Sequence, residues 1–379
     1  MHLRGILAAF SSIPAILLII LLAFLSGSCK RSTEPIKIGF VGGLTGRLSS
    51  LGVAARNGAT LAIEEINASG GLHGRKVEML AADDHQDANV APEALRKLHQ
   101  DGVVAVVGPL TSSMAVSVVP VSNELQLVTV GPTVSTNELS EKDDYFFRPR
   151  PASKVLAQRI AYHMRIERYL QRISVIYDTN NRAHTESWYT HLKNNFEGYG
   201  GQVINTVTFS SADTNNFTEL AQTITGAQPD AVFILASSID TGLIAQQLRK
   251  QGARQPLFAS EWSFTNDLLQ FGGKAVENLT ICHTYNLLDG ATRFTSFKTN
   301  FIERFNETPS FAAGHSYDAT RLILAALQFN PDPARLKQSL LDMPGFPGLQ
   351  AHIKFNRFGD TDRKTFLTTI KNGSFALLE

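Results

Sequence analysis

Small hydroxyl side chains follow two predicted strands, and their types and positions suit them to bind an anion. They form two groups, Ser112 with Ser113 and Thr133 with Ser135. The first group lies where a helix is predicted to begin, and hydroxyls together with the free amides of a helix N-terminus bind carboxylates or phosphates. Ser112 could instead simply cap its helix. The second group, directly after the next strand, favours a polar ligand site.

A second set of candidates follows strands predicted further along the chain. Glu261 and Trp262 come after a strand at 257–259, where a carboxylate could hold an ammonium group or remain a solvated surface charge. Arg182 and Ser237 follow other strands of the same series. Arg182 could attract an anionic group of a ligand or be an exposed side chain without a ligand contact.

Catalytic patterns are missing from the sequence. Adjacent carboxylates, as in Asp83-Asp84 and Glu64-Glu65, point to different faces of a strand or helix and do not form an acid-base pair. The histidines show no metal-binding spacing, and neither a serine nucleophile elbow nor a phosphate-binding glycine loop occurs. The sequence therefore predicts a binding protein with no cofactor and no metal.

The elements that must position these residues alternate between strand and helix. Strands are predicted at 36–41, 77–82, 103–107 and 127–130, with helices between them, and a second series runs from 173 to 282. This order predicts parallel sheets covered by helices on both faces. Ligands of such sheets bind at the carboxyl ends of the strands, where the hydroxyl groups lie. The prolines at 149 and 151 predict an extended crossover between two domains.

The N-terminus has the order of a signal peptide. Arg4 is its only charge before the apolar run 13–25, and Ser26-Gly27-Ser28 then precede Cys29, which resembles a lipoprotein cleavage site. We expect residues 1–28 to be removed, Cys29 to be lipidated and residues 29–35 to form a tether. An uncleaved membrane anchor at 5–25 is the alternative. The other cysteine, Cys282, is predicted to be a small buried hydrophobe.

The overall charge excludes polyanion partners. Lys and Arg number 35 against 34 Asp and Glu, so no field would draw the protein to nucleic acid or to an anionic membrane surface. The 379 residues, of which 43% are hydrophobic, are enough for two cores.

Several strings together resemble the leucine/isoleucine/valine-binding proteins along the whole mature chain. They are IKIGFVGGLTG at 36–46, EEINASGGLHGRKVEML at 64–80, VVGPLTSS at 106–113 and GHSYDAT at 314–320. The resemblance implies the α/β type I periplasmic binding fold, with two doubly wound parallel-sheet lobes joined by a three-strand hinge. The expected lobes are 36–150 with 285–345, and 151–284 with 346–379.

The resemblance also implies roles for the candidate residues. Ser112, with Ser113, matches the serine that holds the ligand carboxylate, while Thr133 supplies a carbonyl and Ser135 a hydroxyl to the ligand's amino and carboxylate groups. Glu261 matches the acid that takes the ammonium, and Trp262 adjoins it.

The aromatic positions that wrap the ligand in the family differ here. They are occupied by Leu51, Arg182 and Ser237. We therefore expect a preference for ligands with a polar or anionic side group, because a charge facing an aliphatic side chain would be desolvated without a partner.

The implied function is delivery of a small molecule, an amino acid or related carboxylate, to an ABC permease from the periplasm or cell surface, with membrane anchoring through Cys29. A ligand-sensing receptor of the same fold is the first alternative, since fold does not fix function. An exported enzyme with an unrecognised active site is the second.

The lipid anchor can be tested on protein extracted from membranes. We expect intact-mass analysis to show a chain that begins at an acylated Cys29, because three small residues precede that cysteine. A mass that retains residues 1–28 would instead establish the uncleaved anchor.

Overall fold

Two mostly parallel β-sheets, each covered by helices, organise the residues that the computed structural model describes, 34–213 and 216–378. The predicted signal peptide, Cys29 and most of the tether lie outside these residues. The chain from Ile36 onward forms one unit, and its two sheets define a first and a second lobe. Among the described residues, no helix is long and apolar enough to span a bilayer.

The sheet of the first lobe is fully parallel and has the order β2-β1-β3-β4-β5. Its strands are β1 (Ile36–Gly42), β2 (Val77–Asp83), β3 (Ala105–Val107), β4 (Thr129–Val130) and β5 (Phe146–Phe147). The strand order reverses between β1 and β3. At such a reversal the connections leave to opposite faces of the sheet, which opens a crevice for a ligand.

The second lobe repeats this order. Its parallel strands are β6 (Arg172–Asp178), β7 (Gln202–Phe209), β8 (Ala231–Leu235), β9 (Leu257–Ala259) and β10 (Thr280–His283), arranged β7-β6-β8-β9-β10. Strands β13 (Phe366–Lys371) and β14 (Ser374–Leu377) extend the sheet in antiparallel fashion beyond β10. The central strand β8 is buried at every position, as its apolar sequence AVFIL requires between two helical layers.

Eleven α-helices lie in the described residues, and they flank the sheets. They are α1 (Ser49–Ala68), α2 (Val90–Gln100), α3 (Ser112–Leu125), α4 (Ser153–Tyr162), α5 (Arg182–Gly198), α6 (Phe217–Gly226), α7 (Ser238–Lys250), α8 (Asn266–Gly272), α9 (Thr292–Phe305), α10 (Phe311–Phe329) and α11 (Leu336–Asp342). A π-helical turn, His163–Glu167, follows α4, and a small ribbon pairs β11 (Phe346–Pro347) with β12 (His352–Ile353). The predicted α/β fold with two doubly wound lobes is confirmed.

The chain passes between the lobes three times. It leaves the first sheet after β5, returns after β10 to form α9 and α10 against α1, and enters the second sheet again at β13. At the first crossing, Arg148 donates from Nε to Asp360 Oδ1 at 2.7 Å. It also donates to the carbonyl of Thr136 at 2.5 Å. This buried guanidinium joins the first and last crossings.

Cys282 lies in β10 as a fully buried free thiol. Burial raises the pKa of this thiol, so it stays protonated and unreactive. It packs with the apolar side chains beneath β6 and β8, as expected of a small hydrophobe.

The close contact between α1 and α10 in the first lobe depends on a glycine. A Cβ on Gly58 of α1 would lie 2.1 Å from the carbonyl oxygen of Ala313 in α10, too close for any side chain. We expect Gly58→Ala to lower the free energy of unfolding by about 1–3 kcal/mol, since the two helices must separate. Urea denaturation provides the measurement.

Gly198→Ala is the matched control for this substitution. Gly198 also lies in a helix, but a Cβ there would meet nothing within 4 Å. It should be neutral or stabilise by about 0.4–1 kcal/mol, because alanine restricts the unfolded chain. Equal effects of the two substitutions would contradict the close α1–α10 contact.

Candidate functional site

A cavity of about 280 Å³ lies where the carboxyl ends of strands from both lobes meet. Its walls come from the first lobe, through α1, α10 and the residues after β3, β4 and β5, and from the second lobe, through the residues after β6 and β9. The lining residues are Leu51, Leu110, Thr111, Ser112, Thr133, Arg150, Asn181, His184, Glu261, Trp262 and Phe311. This volume includes the opening to solvent, and the space that the centres of water-sized molecules could occupy is only about 20 Å³. With the lobes closed, the cavity therefore marks the position of a site and leaves little free space in it.

Five of the candidate residues from the sequence line this cavity. They are Leu51, Ser112, Thr133, Glu261 and Trp262. The other four, Ser113, Ser135, Arg182 and Ser237, do not line it.

The N-terminus of α3 forms one end of the cavity. The side chain of its N-cap residue, Thr111, makes no capping hydrogen bond. Ser112 Oγ accepts hydrogen bonds from the backbone amides of Ser135 at 3.3 Å and Thr136 at 3.2 Å. Both acceptor positions of the hydroxyl are thus used, and its proton remains available for donation. A hydroxyl donor at the positive end of a helix suits an anionic group.

Ser113 and Ser135 connect the two lobes. The amide of Ser113 donates to Asn181 Oδ1 at 3.1 Å, and Ser113 Oγ accepts from the amide of Ala183 at 3.2 Å. Ser135 Oγ lies 2.9 Å from His184 Nδ1. The resemblance implies that both serines contact the ligand. In this closed arrangement their hydroxyls instead form hydrogen bonds with residues of the second lobe.

Arg182 lies outside the cavity, contrary to expectation. Its side chain is 70% exposed and donates from Nε to Glu186 Oε1 at 2.7 Å. The helix α5 begins at Arg182. Residues 182 and 186 therefore lie on one outer face of the helix, and the side chains of Asn181 and His184 enter the cavity instead.

Ser237 is a helix cap. Its Oγ accepts from the amide of Asp240 at 3.2 Å and contacts Asp240 Oδ2 at 2.8 Å. With Arg182 exposed and Ser237 engaged in capping, neither side chain provides a polar surface toward the ligand. The expected preference for a polar or anionic side group therefore loses its structural basis.

Arg150 is the charged residue of the cavity that the sequence analysis missed. Its Nη2 donates to Glu261 Oε1 at 2.7 Å, and its Nη1 donates to the carbonyl of Thr133 at 3.0 Å. The second oxygen of Glu261 accepts from Trp188 Nε1 at 2.9 Å. The side chains of Arg150 and Glu261 are only 2% and 3% exposed, so the pair is shielded from water. The only signal in the sequence was an arginine within a proline-rich crossover.

The charges at this end of the cavity are set by the buried pair. Burial alone would raise the pKa of Glu261, but the Arg150 guanidinium opposes this, and the pKa is lowered overall. Glu261 is therefore a carboxylate. Burial lowers the pKa of His184 to about 4, despite the opposing charge of Glu261, so this imidazole is neutral at pH 7.

The remaining wall of the cavity is apolar. Leu51, Leu110 and Phe311 line it from the first lobe, and Trp262 lines it from the second. His184 meets the Trp262 ring edge-on, with 5.6 Å between the ring centres. Leu110 and Phe311 were not predicted, because their apolar sequence surroundings do not distinguish them from core residues.

Further contacts close the cleft beside the cavity. Arg47 of the first lobe forms a bidentate ion pair with the buried Asp240 of the second, at 2.6 and 3.1 Å. Ser50 Oγ donates to Asp267 at 2.6 Å. The lobes thus meet around the cavity in a closed arrangement. No cluster of side chains suited to a metal ion occurs in the described part of the chain.

Comparison with known proteins gives a consistent result for the whole described chain. The family model for periplasmic binding proteins matches residues 35–374. A Leu/Ile/Val-binding protein of Rhizobium johnstonii is 37% identical over 107 residues, which are 28% of this chain and 29% of that relative.

Solved structures show the same fold. A branched-chain amino acid substrate-binding protein from Streptococcus pneumoniae, in complex with isoleucine, has a TM-score of 0.83 at 22% identity and covers 91% of this chain and 99% of its own. A solute-binding protein from R. palustris, in complex with benzoate, has a TM-score of 0.81 at 19% identity and covers 91% and 95%. At these identities the likeness establishes the fold.

The neutral state of His184 predicts a pH dependence of stability. Between pH 6.5 and about 4 the unfolded chain binds a proton that the folded chain does not, so the free energy of unfolding falls as the pH falls. Relative to a His184→Gln variant, the wild type with its lobes closed should lose up to about 3 kcal/mol on acidification.

Denaturant unfolding of both proteins at pH 7, 6, 5 and about 4 measures this loss. The other titrating groups, among them the buried His283 and His315, contribute equally to both proteins and cancel. Parallel stability curves would show that the pKa of His184 is the same in the folded and the unfolded chain.

Proposed function

The chain belongs to the periplasmic binding protein family, and from this premise we propose that it is the extracytoplasmic solute-binding component of an ABC transporter. One observation carries the proposal. The N-terminus of α3 and the Ser112 hydroxyl face a small cavity enclosed by both lobes, which provides a binding end for a carboxylate.

A small carboxylate is the ligand class that this geometry favours. The relatives of known structure were solved with isoleucine and with benzoate. These ligands share a carboxylate and an apolar body, but only isoleucine carries an ammonium group. The cavity matches both shared features, with α3 at one end and the wall of Leu51, Leu110 and Phe311 beside it. An amino acid or a related carboxylic acid would match both features of the cavity.

Ligand binding is expected to close the lobes by hinge motion. The contacts Arg47–Asp240 and Ser113–Asn181 join residues of opposite lobes and break when the cleft opens. A ligand that contacts both lobes stabilises the closed form by its differential affinity for that form. An ABC permease would recognise the closed form and receive the ligand.

Binding and closure, with no reaction catalysed, complete this function. The cavity holds one neutral histidine and a carboxylate that is already paired with arginine. A histidine with so low a pKa is a weak general base at pH 7, and a carboxylate held in an ion pair is not free to act as one. The predicted lipid anchor at Cys29 would hold the protein in the periplasm or at the cell surface beside its permease.

Mass spectrometry of the molecule that co-purifies with the protein tests the proposal. We expect a small carboxylate whose mass is unchanged after prolonged incubation with the protein. A changed mass would show turnover and support an enzyme. A protein that retains no small molecule and is stabilised by none in a thermal-shift screen would contradict solute binding.

Ser112→Ala should weaken carboxylate binding by roughly two- to tenfold, because one neutral hydrogen bond contributes about 0.5–1.5 kcal/mol. The effect is limited because the helix amides still receive the anion. Ser117→Ala is the matched control, since Ser117 lies on the same helix but bonds only to the carbonyl of Met114. Calorimetry with the identified ligand gives both affinities. Equal affinities would place the carboxylate elsewhere.

A further inference from the structure

We propose that the Arg150 guanidinium fills the position in which a ligand ammonium would bind, so that the cognate ligand is a carboxylate with an apolar body and no α-amino group. This inference rests on the proposed function and defines its ligand more closely.

Arg150 occupies both acceptors that the sequence analysis assigned to an ammonium group. Those acceptors are the carboxylate of Glu261 and the backbone carbonyl of Thr133. Arg150 donates to the first at 2.7 Å and to the second at 3.0 Å. The other oxygen of Glu261 is held by Trp188 Nε1 at 2.9 Å. A ligand ammonium would have to compete for each of these contacts.

Charge also opposes an ammonium at this position. The carboxylate of Glu261 is balanced by Arg150 inside a region shielded from water. A second cation would meet the guanidinium at short range without an unpaired anion to compensate it. Displacing Arg150 would require its charge to leave a buried ion pair, which is strongly unfavourable.

The polar groups at the cavity that are not already paired are suited to an anionic ligand. Arg150 Nε is buried and has no partner among the described residues. This atom can only donate, so a ligand oxygen that reached it would satisfy it and an ammonium would not. The N-terminus of α3 is a second donor end, and Leu51, Leu110 and Phe311 accommodate apolar carbon. An amine-free carboxylate satisfies all of these surfaces.

Two pairs of acids that differ only in the α-ammonium group test the inference. They are 4-methylpentanoate with leucine, and 3-phenylpropanoate with phenylalanine. In calorimetry with the purified full-length protein, we expect one or both amine-free acids to bind at least about tenfold more tightly than the matching amino acid, a difference of about 1.4 kcal/mol. The pair with the larger affinity distinguishes an aliphatic from an aromatic ligand body.

Tighter binding of leucine or phenylalanine than of its amine-free partner would overturn the inference while leaving the proposed function intact. If none of the four acids binds, the chemical identity of the co-purified molecule tests the inference. An amine-free carboxylate supports the inference, and an amine-bearing solute overturns it. Absence of any bound solute contradicts the proposed function itself.

Substitution of Arg150 should reverse the selectivity. In Arg150→Gln the carboxylate of Glu261 becomes free, and the affinity for leucine should rise about tenfold or more relative to 4-methylpentanoate. Arg182→Gln is the control, because it removes an exposed arginine outside the cavity and should leave the selectivity unchanged. Unaltered selectivity in a folded Arg150→Gln protein would contradict the proposed role of Arg150.

The double variant Arg150→Gln/Glu261→Gln covers the case in which an unpaired Glu261 prevents folding. It removes both charges together, which a folded core tolerates better than the loss of one. With no carboxylate to receive an ammonium, it should keep the preference for the amine-free acid. A preference for leucine in this variant would show that the ammonium is bound by other groups.

Discussion

The buried ion pair between Arg150 and Glu261 is the interaction on which the site depends. Arg150 comes from the first crossing between the lobes, and Glu261 from the residues after β9. Removal of one partner from such a pair typically costs about 3–5 kcal/mol, because the other charge is left buried and alone. Through Trp188, the pair is also joined to the core of the second lobe. It therefore links the hinge, the cavity and the core.

The position of the site follows from strand order. Both lobes have the order 2-1-3-4-5 in their parallel strands, so each sheet has a crevice where the order reverses. The carboxyl ends of both sheets contribute to one cavity. At one end of the cavity, the backbone dipoles of α3 give its N-terminus a partial positive charge. At the other end, the charges of Arg150 and Glu261 neutralise each other. These two ends define how a ligand is oriented between the lobes.

Local sequence patterns predicted the fold and the strand ends well. Apolar runs bounded by glycine or proline identified most strands, and the ends of two of them led to Ser112 and Thr133, which line the cavity. Glu261 and Trp262 were found in the same way. These features depend on the order of elements along the chain, which periodicity and turn residues reveal.

The sequence did not reveal which residues far apart in the chain pair with each other in the fold. Arg150 and Glu261 are 111 residues apart, and no local pattern relates them. Arg182 follows a strand in the chain, but it begins α5 and its side chain is exposed, which its position after a strand did not reveal. Ser113 and Ser135 were recognised as rim residues, but their use between the lobes depends on how closely the lobes approach.

A crystal structure of the protein with the solute that co-purifies with it tests the proposed binding mode directly. We expect a ligand carboxylate on the Ser112 hydroxyl and the first amides of α3, with Arg150 and Glu261 still within hydrogen-bonding distance. A ligand ammonium bound to Glu261, with the Arg150 guanidinium displaced from the cavity, would contradict it.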